Sequence, residues 1–218
     1  MLPAQRDHGV PLKQWDWSKL EGSQACLKWA RRDLEVLAAA LKLVPGRTAC
    51  LQAGGNLGIF PKYLAREFAT VYTFEPDAVL FGSLTRNAPE LNIVKIQAAL
   101  GCYRMPVRME CSRRDKSGRA VHEGLTHVAG PGAIPSIMID DLGLPVCDLI
   151  YLDVEGWEFF ALSGALETVR RCRPVIAVEI NRNIVYSGNT ADELRELIRS
   201  FGYVHRLTMH SDEVYTAS

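Results

Sequence analysis

The sequence predicts an α/β fold: a doubly wound, mostly parallel Rossmann-like sheet with helices on both faces, an N-terminal helix and C-terminal antiparallel strands. Three observations predict it. An apolar run, Thr48-Ala49-Cys50-Leu51-Gln52-Ala53, enters a glycine-rich turn, Gly54-Gly55-Asn56-Leu57-Gly58, and strand, turn and helix in that order open a nucleotide-binding βαβ unit. A second β-rich run, Thr70-Val71-Tyr72-Thr73-Phe74, ends in Glu75, about 20 positions after Gly54, where an acid closing the second strand meets ribose hydroxyls. A third apolar run, Leu149-Ile150-Tyr151-Leu152, carries Asp153 at its end, and open α/β sheets place ligands at the carboxyl ends of their strands.

The frame is that of one domain over residues 1–218, with an arm and helix in 1–45 and the core in 46–218. Lys+Arg and Asp+Glu balance at 25 each, so no net field draws the chain to nucleic acid or an anionic membrane. No apolar run is long enough to cross a bilayer and the first residues lack the apolar core of a signal peptide, which makes the cytoplasm the expected location. The six cysteines are scattered without a C-x-x-C pair and read as reduced, buried thiols.

Taken in order, Trp15-Asp16-Trp17 reads as a pin for the N-terminal arm, with stacking on a sugar as the alternative. Leu27, Ala30, Leu34, Leu37 and Leu41 recur at helical steps between Ser23, an N-cap, and the stop Pro45-Gly46. The glycines let the chain turn sharply and let a ligand approach the main chain. Gly58 opens a helix over 59–68 that tolerates Pro61 in its first turn. A helix follows Glu75-Pro76-Asp77 to about Asn87, then a strand over 93–97. Ala98-Ala99-Leu100-Gly101 is small enough to wall a flat ring, or to be ordinary core. A strand over 105–111 stands outside the parallel series, and 112–135 is the longest irregular stretch, a candidate substrate loop. It holds Arg113, Arg114, Lys116 and Arg119, read as a solvated turn or a phosphate contact, and His122 and His127 as substrate contacts.

Asp153, Glu155 and Glu158 put three carboxylates within six positions beside Gly156. Helix-capping accounts for Glu158 and part of Glu155, whereas Asp153 reads as functional. A helix to Cys172 and a strand over 175–179 follow, with Glu179 and Asn181 on the same edge. Thr190-Ala191-Asp192-Glu193 has capping-box spacing, and 203–208 with 213–216 form a terminal hairpin.

Three segments in this order, Gln52-Ala53-Gly54-Gly55-Asn56-Leu57-Gly58, Phe74-Glu75-Pro76 and Asp148-Leu149-Ile150-Tyr151-Leu152-Asp153-Val154-Glu155-Gly156-Trp157-Glu158, resemble the FkbM-type methyltransferases. These have the class I S-adenosylmethionine-dependent fold. The resemblance covers roughly 48–181, and its acidic element is the most specific part. It implies S-adenosyl-L-methionine as cofactor, S-adenosyl-L-homocysteine as product, and O-methylation of a hydroxyl on a sugar, glycan or secondary metabolite. By that likeness Gln52, Ala53, Gly54, Gly55, Asn56 and Gly58 form the cofactor loop. Glu75 holds the ribose hydroxyls, next to Pro76, and the small residues Ala98 and Ala99 stay the candidate adenine wall. Asp153 sits between cofactor and acceptor as base or positioning group, oriented by Glu155, with no metal required. The alternative of a divalent metal on Asp153, Glu155 and Glu179 stays open. One departure is Gln52, where the family usually has an acid; a neutral amide still accepts a hydrogen bond but without charge assistance. A nicotinamide-dependent oxidoreductase and a catalytically silent binding protein remain as alternatives.

Overall fold

The computed structural model describes residues 24–111 and 126–218. Trp15, Trp17, Ser23, Arg113, Arg114, Lys116, Arg119 and His122 lie outside the described residues.

Helix α1 (Gln24–Leu41) lays Ala30, Leu34, Leu37, Ala40 and Leu41 on the core, as their spacing requires. Arg47 ends it by donating to the carbonyls of Leu41 (2.7 Å), Val44 (2.7 Å) and Gly46 (2.8 Å), which satisfies carbonyls that a helix terminus leaves open. Strand β1 (Ala49–Ala53) is buried throughout. Asp148 aligns its start by accepting from the amides of Thr48 (2.7 Å) and Ala49 (3.0 Å). The chain then alternates through α2 (Ile59–Glu67), β2 (Thr70–Phe74), α3 (Ala78–Asn87) and β3 (Ile93–Ile96).

Between β3 and the next strand of the sheet lies an excursion. It comprises β4 (Ala99–Leu100), β5 (Val107–Cys111), β6 (Thr126–Pro131), β7 (Ser136–Ile137) and a 3-10 turn over Ile139–Leu142. The series resumes with β8 (Leu149–Leu152), α4 (Glu158–Ser163), α5 (Leu166–Cys172), β9 (Val175–Glu179), a 3-10 turn over Arg182–Ser187, α6 (Ala191–Ser200), β10 (Tyr203–Met209) and β11 (Asp212–Ala217). The main sheet has the order β10-β11-β9-β8-β1-β2-β3. β11 runs against both its neighbours, so β10 points the same way as the parallel strands.

Alternation along the buried strands feeds two cores. Cys50, Leu149, Tyr151, Val175, Ala177 and Val214 face α1, α2 and α3. Leu51, Ile150, Leu152, Ile176, Val178 and Tyr215 face α4, α5 and α6. Helices therefore cover both faces, and the carboxyl ends of β1, β2 and β8 are left to form a site.

Two expectations are corrected. The single helix expected after Glu158 is two helices. Gly164 interrupts it, because its carbonyl accepts from Asp140 N (2.9 Å) and a Cβ on it would stand 2.1 Å from the Gly101 carbonyl oxygen. Asp140 also accepts from the amides of Glu167 (3.0 Å) and Thr168 (2.8 Å), capping α5 from outside. The stretch 112–135 is not wholly irregular, since β6 pairs antiparallel with β5. Gly130 and Pro131 mask a short strand whose anchor is buried Val128. Among the described residues no helix is long and apolar enough to cross a membrane. Cys50 and Cys147 are buried thiols, while Cys102, Cys111 and Cys172 are half-buried.

Candidate active site

The glycine turn is shaped by its protein neighbours. The amides of Gly54 and Gly55 both donate to the Phe74 carbonyl (3.1 and 2.8 Å), tying the turn to β2. Gly54 has φ +83°, and a Cβ on it would stand 1.8 Å from the carbonyl oxygen of Asp153. No side chain fits where β1 passes the end of β8. A Cβ on Gly55 would meet Leu84, Thr73 and Glu75 at 3.1–3.2 Å, so its smallness serves packing against β2 and α3 rather than the ligand clearance expected from sequence.

Ala53, Gly54, Asn56, Glu75, Pro76, Ala98, Ala99, Asp153 and Glu155 line a single cleft of about 670 Å3, partly open to solvent. Four separated stretches of sequence meet there. Phe60, Phe74, Leu80 and Leu100 supply apolar wall, and Met109, Thr126, Val128, Val154 and Trp157 complete it. These last five were not singled out from sequence. Met109, Thr126 and Val128 reach the cleft through the β5–β6 hairpin, and Trp157 carried its signal only by lying inside the acidic element.

Gln52, Gly55 and Gly58 do not line the cleft. Gln52 is fully buried behind the turn, donating from Nε2 to the Gly54 carbonyl (2.8 Å) and accepting at Oε1 from Thr73 Oγ1 (2.6 Å). The carbonyl can only accept, so the neighbouring group must be an amide or a protonated acid. Both ends of the Gln52 amide are thus engaged within the protein. His127 is also off the cleft: Thr126 and Val128 face it, and His127, between them on β6, stacks on Tyr186 (centroids 3.9 Å, planes 11° apart). Its Nδ1 is buried without a partner among the described residues. Glu179 and Asn181 bond each other, Nδ2 to Oε2 at 2.5 Å, behind the cleft lining.

Glu75 accepts from the amides of Asn56 (2.7 Å) and Asp77 (2.9 Å), one on each oxygen. Burial still pushes its pKa up to about 7, against the pull of those two amides. Asn56 has φ +43°, and its buried Oδ1 has no partner among the described residues. Asn56 lines the cleft, and this acceptor has nothing from the described protein to satisfy it.

The loop after β8 winds around Glu158, whose Oε1 accepts from the amides of Val154 (2.9 Å) and Gly156 (3.2 Å). Glu155, at φ +54°, accepts from Asn183 Nδ2 (2.6 Å). Gly156 passes so near the turn after β9 that a Cβ would stand 2.0 Å from the Asn183 carbonyl oxygen. Asp153 accepts no hydrogen bond from any described residue, and burial followed by the charges of Glu179, Glu155, Asp212 and Glu158 raises its pKa well above the carboxylate range. Burial and Glu179 push Glu155 to about 7, burial pushes Glu158 to about 8, and burial with Glu179 pushes Asp212 to about 8. Such a cluster favours a cation. Among the described residues no group of three His, Cys, Asp or Glu is placed to hold a metal ion.

These shifts fix the sign of a pH dependence. Each carboxyl holds its proton more tightly folded than unfolded, so the stability it contributes is complete below the unfolded value near 4.5 and is lost as pH rises through 7 to 8. The ligand-free protein should show a falling urea midpoint from pH 5 to 8, and Glu158→Gln should flatten that fall. A midpoint that rises across this range would contradict the buried acid cluster.

Comparison with known proteins agrees with this geometry. The model of the methyltransferase FkbM domain matches residues 56–204, more than half of the chain. No curated protein matches. Among solved structures, an FkbM methyltransferase from Methylobacillus flagellatus KT superposes with a TM-score of 0.51 at 18% identity, covering 78% of this chain and 43% of that one. The present chain thus spans less than half of that relative's length. The magnesium protoporphyrin IX methyltransferase of Synechocystis PCC 6803, solved with bound S-adenosylmethionine, gives 0.51 at 12% identity over 98% and 95% of the two chains. A ribosomal protein L11 methylase from Lactobacillus delbrueckii subsp. bulgaricus gives 0.50 at 7% over 93% and 83%. At these identities the superpositions speak to the fold, whereas the domain match speaks to descent: the chain belongs to the FkbM methyltransferase family, whose cofactor is S-adenosylmethionine.

Proposed function

We propose that the protein transfers a methyl group from S-adenosylmethionine to a hydroxyl oxygen of a small-molecule or glycan acceptor. The observation that carries this reading is the convergence of the glycine turn, Glu75 and a carboxylate without a described protein partner, Asp153, on one cleft. The residues present fit the cofactor. Asn56 Oδ1 is an orphaned acceptor, Glu75 stands where ribose hydroxyls would donate, and Phe60, Phe74 and Leu80 offer apolar wall to a base. The cofactor supplies an electrophilic methyl on a cationic sulfur.

In this reading Asp153 changes state with the charge in the cleft. Its proton is held by burial and by four neighbouring acids, and a cation beside it favours the ionised form. The carboxylate would then take the acceptor's hydroxyl proton, while the methyl's bond to sulfur gives way to the new bond to oxygen and S-adenosylhomocysteine leaves. Glu155 is fixed by Asn183 and backs Asp153. Ala53, Gly54, Pro76, Ala98 and Ala99 shape the cofactor side. Gln52, Gly55 and Gly58 hold the turn itself, and Glu179, Asn181 and His127 support the acceptor side from behind. A nicotinamide reductase would leave the wound acidic loop without a task. The motive for a silent protein was the neutral Gln52, and that amide is engaged at both ends within the protein.

Asp153→Asn should keep the fold, bind S-adenosylhomocysteine within a few-fold, and lose methyl transfer by about a hundredfold or more. Transfer of labelled methyl to a panel of hydroxyl acceptors, with and without a chelator, checks this. Full activity in the variant places the base elsewhere, and activity lost on chelation and restored by magnesium makes the carboxylates ligands. Glu75→Gln should weaken S-adenosylhomocysteine by about 1 kcal/mol or more at pH 8, where Glu75 is mostly ionised. An analogue without ribose hydroxyls should suffer much less in calorimetry, and equal losses for the two ligands would remove Glu75 from the ribose.

A further inference from the structure

Beyond Trp157 lies a second chamber of about 550 Å3, bounded by the segment 101–107, by β6 and by α4. No charged residue lines it. Met105, Val107, Val128, Pro131 and Phe160 give it an apolar surface, and Met105 is 61% exposed at its mouth. Val128 and Trp157 also line the cofactor cleft, so the two spaces share a boundary. We propose that this chamber receives the body of the methyl acceptor, and that the acceptor is a neutral, largely hydrocarbon alcohol with one oxygen placed to receive a hydrogen bond from Trp157.

The polar groups of the chamber decide the class. Trp157 Nε1 is buried without a partner among the described residues, and indole N–H can only donate. It lies 3.8 Å, and Ser136 Oγ 2.8 Å, from the point where a Cβ on Gly101 would stand. The absence of that Cβ leaves room beside the two groups; the other polar side chains of the lining are Cys102 and the exposed Tyr103. A sugar brings a hydroxyl on nearly every carbon, and burying it here would leave most of them unpaired. A hydrocarbon frame with one well-placed oxygen leaves none, and Val128 and Trp157, which line both spaces, set that oxygen on the side of the chamber next to the cleft that holds Asp153. This assignment rests on the methyl-transfer reading of the cleft and narrows its acceptor.

Calorimetry with menthol as a neutral hydrocarbon alcohol and methyl glucoside as its polar counterpart tests it, with and without saturating S-adenosylhomocysteine. Met105→Asp puts a charge at an exposed position of the mouth, where folding tolerates it, and Met105→Leu preserves the apolar rim. Menthol should bind the wild type, keep its affinity within about twofold in Met105→Leu, and weaken about tenfold or more in Met105→Asp. S-adenosylhomocysteine should bind all three proteins alike. The proposal is overturned if menthol binds Met105→Asp as well as wild type, if methyl glucoside binds as tightly as menthol, or if S-adenosylhomocysteine weakens in Met105→Asp, which would give the chamber to the cofactor. Failure of the wild type to bind S-adenosylhomocysteine at all refutes the methyl-transfer reading separately, since the menthol titration without it still reports on the chamber.

Discussion

The close passage of Gly54 beneath the end of β8 is the constraint on which the site depends. With the Asp153 carbonyl oxygen 1.8 Å from where a Cβ would be, the end of β1 touches the end of β8 through backbone alone. β1 and β8 are adjacent and parallel, with Ala53 paired to Leu152 and the Asp153 amide donating to the Ala53 carbonyl at 3.1 Å. That register brings the cofactor turn and the acidic loop to the same height on the sheet. A bulkier residue at position 54 would have to part the two strands where they are most buried, and turn and carboxylate would no longer share a cleft.

Buried carboxylates gather beside and behind this cleft. Asp153, Glu155, Glu158, Glu179 and Asp212 crowd the carboxyl edge of β8 and β9, and burial with mutual repulsion holds several of them above the normal range. Arg32 on α1 interacts with Asp212 and Glu179, but its direct hydrogen bond is to Asp33. Two non-glycine residues with positive φ, Asn56 and Glu155, line this cleft. Each is held by hydrogen bonds at its edge, Asn56 through Glu75 and Glu155 through Asn183.

What the sequence disclosed follows from the range of the interactions involved. The unit from β1 to β3 was legible because its signals are local: an apolar strand, glycines at a turn, an acid at the next strand end. Asp153 was legible for the same reason, as a charge after a run of four buried residues. The protein neighbours of Gly55 and Gln52, Leu84 and Thr73, were not legible because they come from other elements. The break between α4 and α5 was invisible because its causes, Asp140 and Gly101, lie far back in the chain. β6 was hidden by Gly130 and Pro131, which by themselves signal a turn.

This division of range is also a division of labour. One wall of the cleft comes from contiguous βαβ geometry that hardly depends on what surrounds it. The rest is assembled from the β5–β6 hairpin and from Trp157 on the acidic loop, elements that meet only in the folded chain. Changes in the hairpin can reshape that side of the cleft while β1, β2 and Glu75 stay in register, because the main sheet contains neither β5 nor β6. The most readable part of the sequence therefore builds the wall that depends least on its surroundings, and the excursion between β3 and β8 builds the wall where local signals are weakest.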